Sequence, residues 1–243
     1  MSIALQVALV MVTILVVLLV IGAPIGVAIG MSSAVSMICM IPADVSFATS
    51  AQRIFAGSNS FSLIAIPFFI LAGNIMNNGG IATRLVNCAK VISGRMPGAL
   101  AQSNVVANML FGAISGSGAA AAAAMGGTIG PLEEKEGYDK NYSTAVNVAS
   151  APVGMLIPPS NTMIVYSSVA GSVSIAALFM AGYIPGLLWG GAVMILAGIM
   201  AKKRGYQAEQ RVPVKVALKT FWQAIPSLLL IVIVIGGILG GIF

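Results

Sequence analysis

The sequence predicts an all-α polytopic membrane protein, and three observations carry that prediction. Hydrophobic residues make up 58% of the 243, mean hydropathy is +1.02, and only 7% of residues are charged, where a soluble domain carries roughly 25%. The charges also cluster, at 44–53, 84–95, 133–140 and 202–219, which leaves charge-free runs at 1–43, 54–83, 96–132, 141–201 and 220–243. A helical crossing needs about 20 apolar residues, so each run holds one or two passes. Finally, the basic residues are unevenly shared. Arg84, Lys90 and Arg95 stand without an acid, and Lys202, Lys203, Arg204, Arg211, Lys215 and Lys219 stand against Glu209 alone. Basic loops stay cytoplasmic, so both segments are expected inside.

Composition also excludes functions. The chain has no histidine, which removes Ser-His-Asp hydrolysis, HExxH zinc sites and imidazole ligation of haem. Gly116-Ser117-Gly118 looks superficially like the glycine-flanked serine of an intramembrane protease, but the histidine base is missing, so the chain is not expected to be an enzyme. No dense basic stripe or aromatic platform accompanies the positive charge, so nucleic acid is not an expected partner. Cys39 and Cys88 lack the further thiols that a disulfide framework or zinc site needs, and read as packing residues.

Taken in order, residues 3–21 form an unbroken apolar run. No basic residue precedes it, so it reads as a retained span rather than a cleaved signal. Gly22-Ala23-Pro24 ends it, and a second span runs to about Met40. Gly22, Gly26 and Gly30 recur every fourth residue, a spacing that admits a close helical neighbour. Pro42-Ala43-Asp44 opens a polar connector reaching Ser60. A third span, about 61–78, ends at Asn77-Asn78-Gly79-Gly80. Segment 81–97 reads as an interfacial arm helix, with Ile81, Leu85, Val86 and Ala89 on one face.

Two anomalies follow. Residues 98–133 are nearly charge-free, yet their centre reads Gly112-Ala113-Ile114-Ser115-Gly116-Ser117-Gly118. Each helical glycine costs on the order of 1 kcal/mol relative to alanine. Two half-helices meeting at this centre, a hairpin that enters and leaves by one face, fit better than one rod. A polar loop, Glu133 to Lys140, closes it. The apolar segment 141–170 is broken in turn by Pro152, Gly154 and Pro158-Pro159-Ser160-Asn161. A plain span at 174–201, an amphipathic connector within 202–218 and a last span at about 219–242 complete the chain. With 84–95 inside, the parity puts Met1 outside.

The breaks carry the chemistry. Pro158 and Pro159 have no N–H, so the carbonyls of Gly154 and Met155 lose their helical donors. An orphan carbonyl in hydrocarbon costs several kcal/mol and persists only where another group satisfies it. A cation is one such group, and Na⁺ prefers oxygen ligands such as these carbonyls. Ser115 and Ser117 at the hairpin tip offer further oxygens. The half-helices starting after each break point positive dipole ends at an anionic solute. The competing structural reading makes Pro158-Pro159 a kink and Gly112/Gly116 a packing pair. Gly182/Gly186/Gly190 and Gly236-Gly237/Gly240-Gly241 read as packing alone, and Trp189 and Trp222 as packing or interfacial anchors.

At these residues the sequence resembles the large membrane subunit of TRAP (tripartite ATP-independent periplasmic) transporters, the DctM/SiaM-like family. The matching pieces are Gly22-Ala23-Pro24-Ile25, the run from Ser60-Phe61 to Ala72-Gly73, Asn77-Asn78-Gly79-Gly80-Ile81, Ile114-Ser115-Gly116-Ser117 and Ile157-Pro158-Pro159-Ser160. Leu178-Phe179-Met180-Ala181-Gly182 with Pro185-Gly186, and the run from Gly236 to Phe243, follow in order.

The resemblance implies an elevator-type ion-transporter fold. Residues 1–80 would be scaffold helices and 98–173 half of a transport domain, with a re-entrant hairpin at 98–133 and a broken helix at 141–170. Residues 174–243 would add further transmembrane helices. It implies a multi-pass subunit of the bacterial inner membrane, surrounded by lipid, that imports organic acids with Na⁺. A small four-helix membrane subunit and a periplasmic substrate-binding protein would be its partners. Carried over by resemblance, Ser115, Gly154, Ile157 and Pro159 form a sodium site to which Gly112 is added, while Ser117, Ser160 and Asn161 face the solute. The chain departs at Ala121, where many relatives carry an aspartate. The resemblance also places a second inverted half, with a second hairpin and sodium site, after Phe243, so that residues 1–243 alone are not expected to transport. A binding-protein-independent Na⁺/dicarboxylate symporter and a non-transporting membrane scaffold remain alternatives.

Overall fold

The computed structural model describes residues 3–59, 63, 67–68, 71, 75, 79–171, 173–208 and 213–240. The expected third span, about 61–78, lies largely outside the described residues, as does the end of the chain from 241 on. The chain divides into two compact units, Met1–Phe61 and Ser62–Phe243.

Among its described residues the first unit has three helices, α1 (Ile3–Val20), α2 (Ile25–Ile38) and α3 (Ala43–Ser58). α1 packs along α2 and α2 along α3, and the Ser46 hydroxyl donates to the Ala34 carbonyl at 2.8 Å. The expected polar connector is thus helical, because Pro42 sets the first turn and Asp44 stands at its positive end. The glycine ladder does not act as expected here. A Cβ at Gly22, Gly26 or Gly30 would meet nothing within 4 Å, so this face is open among the described residues.

The second unit is built around one helix. In order it contains α4 (Ile81–Ser93), α5 (Ala99–Ser115), α6 (Gly118–Thr128), α7 (Gly130–Lys135), α8 (Lys140–Ser150), α9 (Val153–Leu156), α10 (Asn161–Ala170), α11 (Ile175–Arg204) and α12 (Val214–Leu239). α5 is buried almost throughout because α4, α6, α8, α9 and α11 all pack on it. One cluster joins Leu85 and Val86 of α4 to Phe111 and Ile114 of α5 and Ala121 and Met125 of α6. A second joins Leu100 and Val105 of α5 to Tyr142 and Val146 of α8 and Ala197 of α11.

Helix α4 lies within the expected arm segment, and its apolar face, including Leu85 and Ala89, is buried against the hairpin. The connector before the last span starts later than 202. α11 continues through Lys202, Lys203 and Arg204, whose charges complement the negative end of the helix before the left-handed Gly205 stops it. α12 then begins at Val214, just after Pro213, earlier than the expected 219.

Among the described residues, Ile3–Val20, Ile175–Arg204 and Val214–Gly237 are long and apolar enough to cross a membrane, and the pair Lys140–Leu156 and Asn161–Ala170 qualifies together, bent by 49°. Several polar side chains inside α5 bond to protein rather than solvent. Ser103 meets Ser93 at 3.0 Å, and Gln102 donates to the Met194 carbonyl at 2.9 Å. Trp189 is half-exposed, its indole N–H donating to the Ala149 carbonyl at 2.9 Å.

Candidate functional site

The hairpin break forms where the sequence stops supporting a helix. α5 ends with Gly116 at φ +64°, its N–H donating to the Gly112 carbonyl at 2.7 Å. An L side chain rarely adopts that φ, so glycine is required. Ser117 is extended and caps α6, its hydroxyl accepting from Ala120 N at 3.3 Å. The arms then run back along each other. Asn108 on α5 reaches Asn147 Oδ1 at 2.9 Å and Ser150 Oγ at 2.8 Å, while Asn147 Nδ2 donates to Ala122 O of α6 at 2.9 Å. One residue of α8 therefore ties both arms.

The second break is built alike. α9 gives way to extended Ile157, then a cis Pro158–Pro159 bond, then extended Ser160, which caps α10. The Ser160 hydroxyl accepts from Met163 N at 3.4 Å and donates to the Met155 carbonyl at 2.5 Å. One of the two carbonyls stripped by the prolines is thus satisfied by the serine that follows them.

The two breaks meet. Asn161 N donates to Gly116 O at 3.2 Å, and Asn161 Nδ2 reaches Ser115 O at 3.5 Å. A Cβ on Gly116 would stand 3.2 Å from Pro159 O, and one on Gly112 would stand 2.2 Å from Gly154 Cα. Gly112, Ser115, Gly154, Pro159 and Asn161 are therefore neighbours. The Ile157 side chain packs on α11, its Cγ1 2.7 Å from where a Cβ on Gly186 would be. Ser115 is buried, its hydroxyl only weakly engaged by Ser117 O and N at 3.3 and 3.4 Å. Asn161 Oδ1 is buried and has no hydrogen-bond partner among the described residues. Ser160 is wholly buried, with its hydroxyl committed to the break. Two capped helix N-termini and several oxygen acceptors thus converge where a cation and an anion can be held together.

The glycine face of α11 supports this arrangement. Cβ atoms at Gly182 and Gly190 would stand 2.3 Å from Leu156 O and 2.7 Å from Met109 Sδ. These glycines pack, as the spacing predicts, and what they pack against is the break and the helix leading to the tip.

Compared with known families, residues 12–243 match the model of the DctM component of the tripartite ATP-independent periplasmic transporter. The chain belongs to the DctM family. Its members are transporter permease subunits, not enzymes, and it is a membrane protein.

Within the DctM family it is 53% identical over 212 residues to an uncharacterized protein, YgiK, of Salmonella typhimurium, covering 87% of this chain and 49% of that one. It is 42% identical over 202 residues to the C4-dicarboxylate TRAP transporter large permease protein DctM of Vibrio cholerae, covering 83% and 44%. The sialic acid TRAP transporter large permease protein SiaM of the same organism is 40% identical over 198 residues, covering 80% and 45%. The chain spans about half the length of these relatives.

Sequence reasoning missed the asparagine ladder. Asn104, Asn108 and Asn147 gave one signal, polar amides in charge-free segments with two of them spaced i, i+4, a spacing that puts side chains on one helix face.

Proposed function

We propose that this DctM-family chain forms one half of a Na⁺-coupled importer of organic acids in a bacterial inner membrane. The observation that supports the reading is the backbone bond from Asn161 N to Gly116 O at 3.2 Å, which holds the serine tip of the hairpin against the double-proline break. In the proposal Na⁺ is bound by oxygens of Gly112, Ser115, Gly154, Ile157 and Pro159. An organic anion is held by Ser117, Ser160, Asn161 and the positive ends of α6 and α10. Na⁺ is coordinated by the carbonyl oxygens and draws tip and break together, which completes the anion site, so neither solute is carried well alone. Ser160 contributes through its place at the start of α10, since its hydroxyl serves Met155. An elevator movement of the hairpin and broken helix, a small four-helix membrane subunit and a periplasmic binding protein that delivers the solute complete the proposal.

The test is uptake of a panel of organic acids by proteoliposomes holding the full-length protein with those partners. Uptake that requires Na⁺ and the binding protein, and that loses its Na⁺ dependence in Ser115→Ala, is expected. Uptake indifferent to Na⁺ would remove the sodium assignment. Uptake without the binding protein would favour a simple symporter, and no uptake would favour a scaffold.

A further inference from the structure

The hairpin has a second polar site, at the opposite end of its arms from the tip. A cavity of about 360 Å³ is lined there by Asn104 of α5, Glu133 of α7, Ser143 and Asn147 of α8, with Glu134 and Lys140 also on its wall. Glu133 is only 1% exposed. Side-chain hydrogen bonding from Ser143 and Asn104 favours its ionised form, but the contacts are poorly formed: neither carboxylate oxygen, nor the buried Ser143 hydroxyl, has a well-formed hydrogen bond among the described residues. Orphaned acceptors of this kind cost free energy unless something meets them.

The donor set narrows what that is. An anion is repelled by Glu133. Among the described residues no three histidine, cysteine or acidic side chains gather to hold a metal, which disfavours transition metals. Ca²⁺ and Mg²⁺ sites dedicated to the ion draw on more carboxylate charge than one buried glutamate. One carboxylate with hydroxyl and amide oxygens suits a hard monovalent ion. Lys140 and Glu134 are both exposed on the cavity wall, and Glu133 is its buried carboxyl. Lys135, Glu136, Tyr138, Asp139 and Tyr142 are the other ionisable groups of the surrounding elements.

We propose that Glu133 and Ser143, with the side-chain oxygen of Asn147, form a binding site for an alkali cation, separate from the tip. Asn147 also belongs, with Asn104, to the ladder that ties the two hairpin arms to α8, since Asn108 Nδ2 reaches both Asn104 Oδ1 and Asn147 Oδ1 at 2.9 Å. An ion bound here stiffens the base of the hairpin on which the tip rests.

The test uses the full-length protein in nanodiscs, with ²²Na⁺ equilibrium binding and amide hydrogen exchange in NaCl, KCl or choline chloride of equal ionic strength. Glu133→Gln, close in shape, is expected to bind one Na⁺ fewer per chain than wild type. Exchange across 130–147 should slow in NaCl or KCl relative to choline in wild type but not in the variant. Ser143→Ala should weaken the binding severalfold, and carries the test if Glu133→Gln does not fold. Ser115→Ala should leave exchange protection at 130–147 intact, which separates this site from the tip. Equal Na⁺ stoichiometry and equal protection in wild type and Glu133→Gln, or equal Na⁺ affinity and equal protection in wild type and Ser143→Ala, would overturn the proposal.

Discussion

Gly112 and Gly154 touch backbone to backbone: a Cβ on the first would lie 2.2 Å from the second's Cα, and one on the second 2.4 Å from the first's Cα. No side chain fits between α5 and α9, so hydrogen is the only substituent either position accepts. This contact fixes the register in which the hairpin arm meets the broken helix, and with it the place of Ser115 beside Asn161.

Gly112→Ala is therefore expected to push the two breaks apart. Overpacking of this kind costs about 1–3 kcal/mol or more where backbone cannot move aside. The thermal midpoint of the full-length protein should fall, and Na⁺-dependent uptake should fall with it. Gly154→Ala should behave alike. The double variant should cost less than the two singles together, since either one already opens the contact. Gly127→Ala is the control. A Cβ there meets nothing within 4 Å, so it should be neutral or stabilising by up to about 1 kcal/mol.

Ser160→Ala removes two hydrogen bonds at once, the cap to Met163 N and the donor to Met155 O. A lost cap costs about 1 kcal/mol, and a buried carbonyl left without a donor costs about 1–3 kcal/mol more. Thermal unfolding should show the sum, and Ser160→Thr, which keeps the hydroxyl, should recover most of it. A Ser160→Ala protein as stable as wild type would show that Met155 O finds another donor.

Both breaks were legible because local chemistry dictates them. Consecutive prolines remove donors wherever they stand, and Gly116 between two serines disfavours a helix whatever surrounds it. What satisfies the stripped carbonyls was less legible. That Ser160 turns back to Met155, or that Asn147 joins Asn108 to Ala122, depends on how separate segments meet. Helix α4 shows the same limit. Leu85 and Val86 mark an apolar face, but periodicity cannot say whether lipid or another helix covers it; here Phe111 and Ile114 belong to the same buried cluster. At Gly182 the reverse held, since the glycine row of α11 does take a close neighbour, Leu156, where the row at Gly26 and Gly30 meets none among the described residues.

Stability should depend on pH through Glu133, which lies in the connector beyond the hairpin. Burial pushes its carboxyl up from 4.5 to about 7, with the Glu136 charge adding to the rise and Ser143 and Asn104 opposing it. The folded state thus holds the proton more tightly than the unfolded state. Below about 4.5 both states are protonated and the group imposes no penalty. As pH rises from there to about 7 the unfolded state ionises first, and up to about 3 kcal/mol of stability is lost. In sodium- and potassium-free buffer, the thermal midpoint of wild type should fall over this window relative to Glu133→Gln. Parallel profiles would mean that the buried carboxyl is already matched.

The connector ends in an ion pair whose two members should respond unequally. Asp139 meets Arg204 at 3.1 Å, with both side chains 41% exposed. Asp139 also caps α8, its carboxylate accepting from Tyr142 N at 2.9 Å, and its own N–H donates to the Tyr206 hydroxyl at 2.8 Å. Exposed pairs are weak and screened by salt, whereas a cap is a short-range bond that salt leaves in place. Arg204→Gln should therefore lower the thermal midpoint slightly at low salt and not at all in 0.5 M choline chloride (roughly 4 Å screening length). Asp139→Ala should cost about 1 kcal/mol at either salt concentration. Asp139→Asn, which loses the charge but keeps a capping oxygen, should match Arg204→Gln rather than Asp139→Ala. If instead the asparagine variant falls with the alanine one, charge rather than capping holds this end of the broken helix.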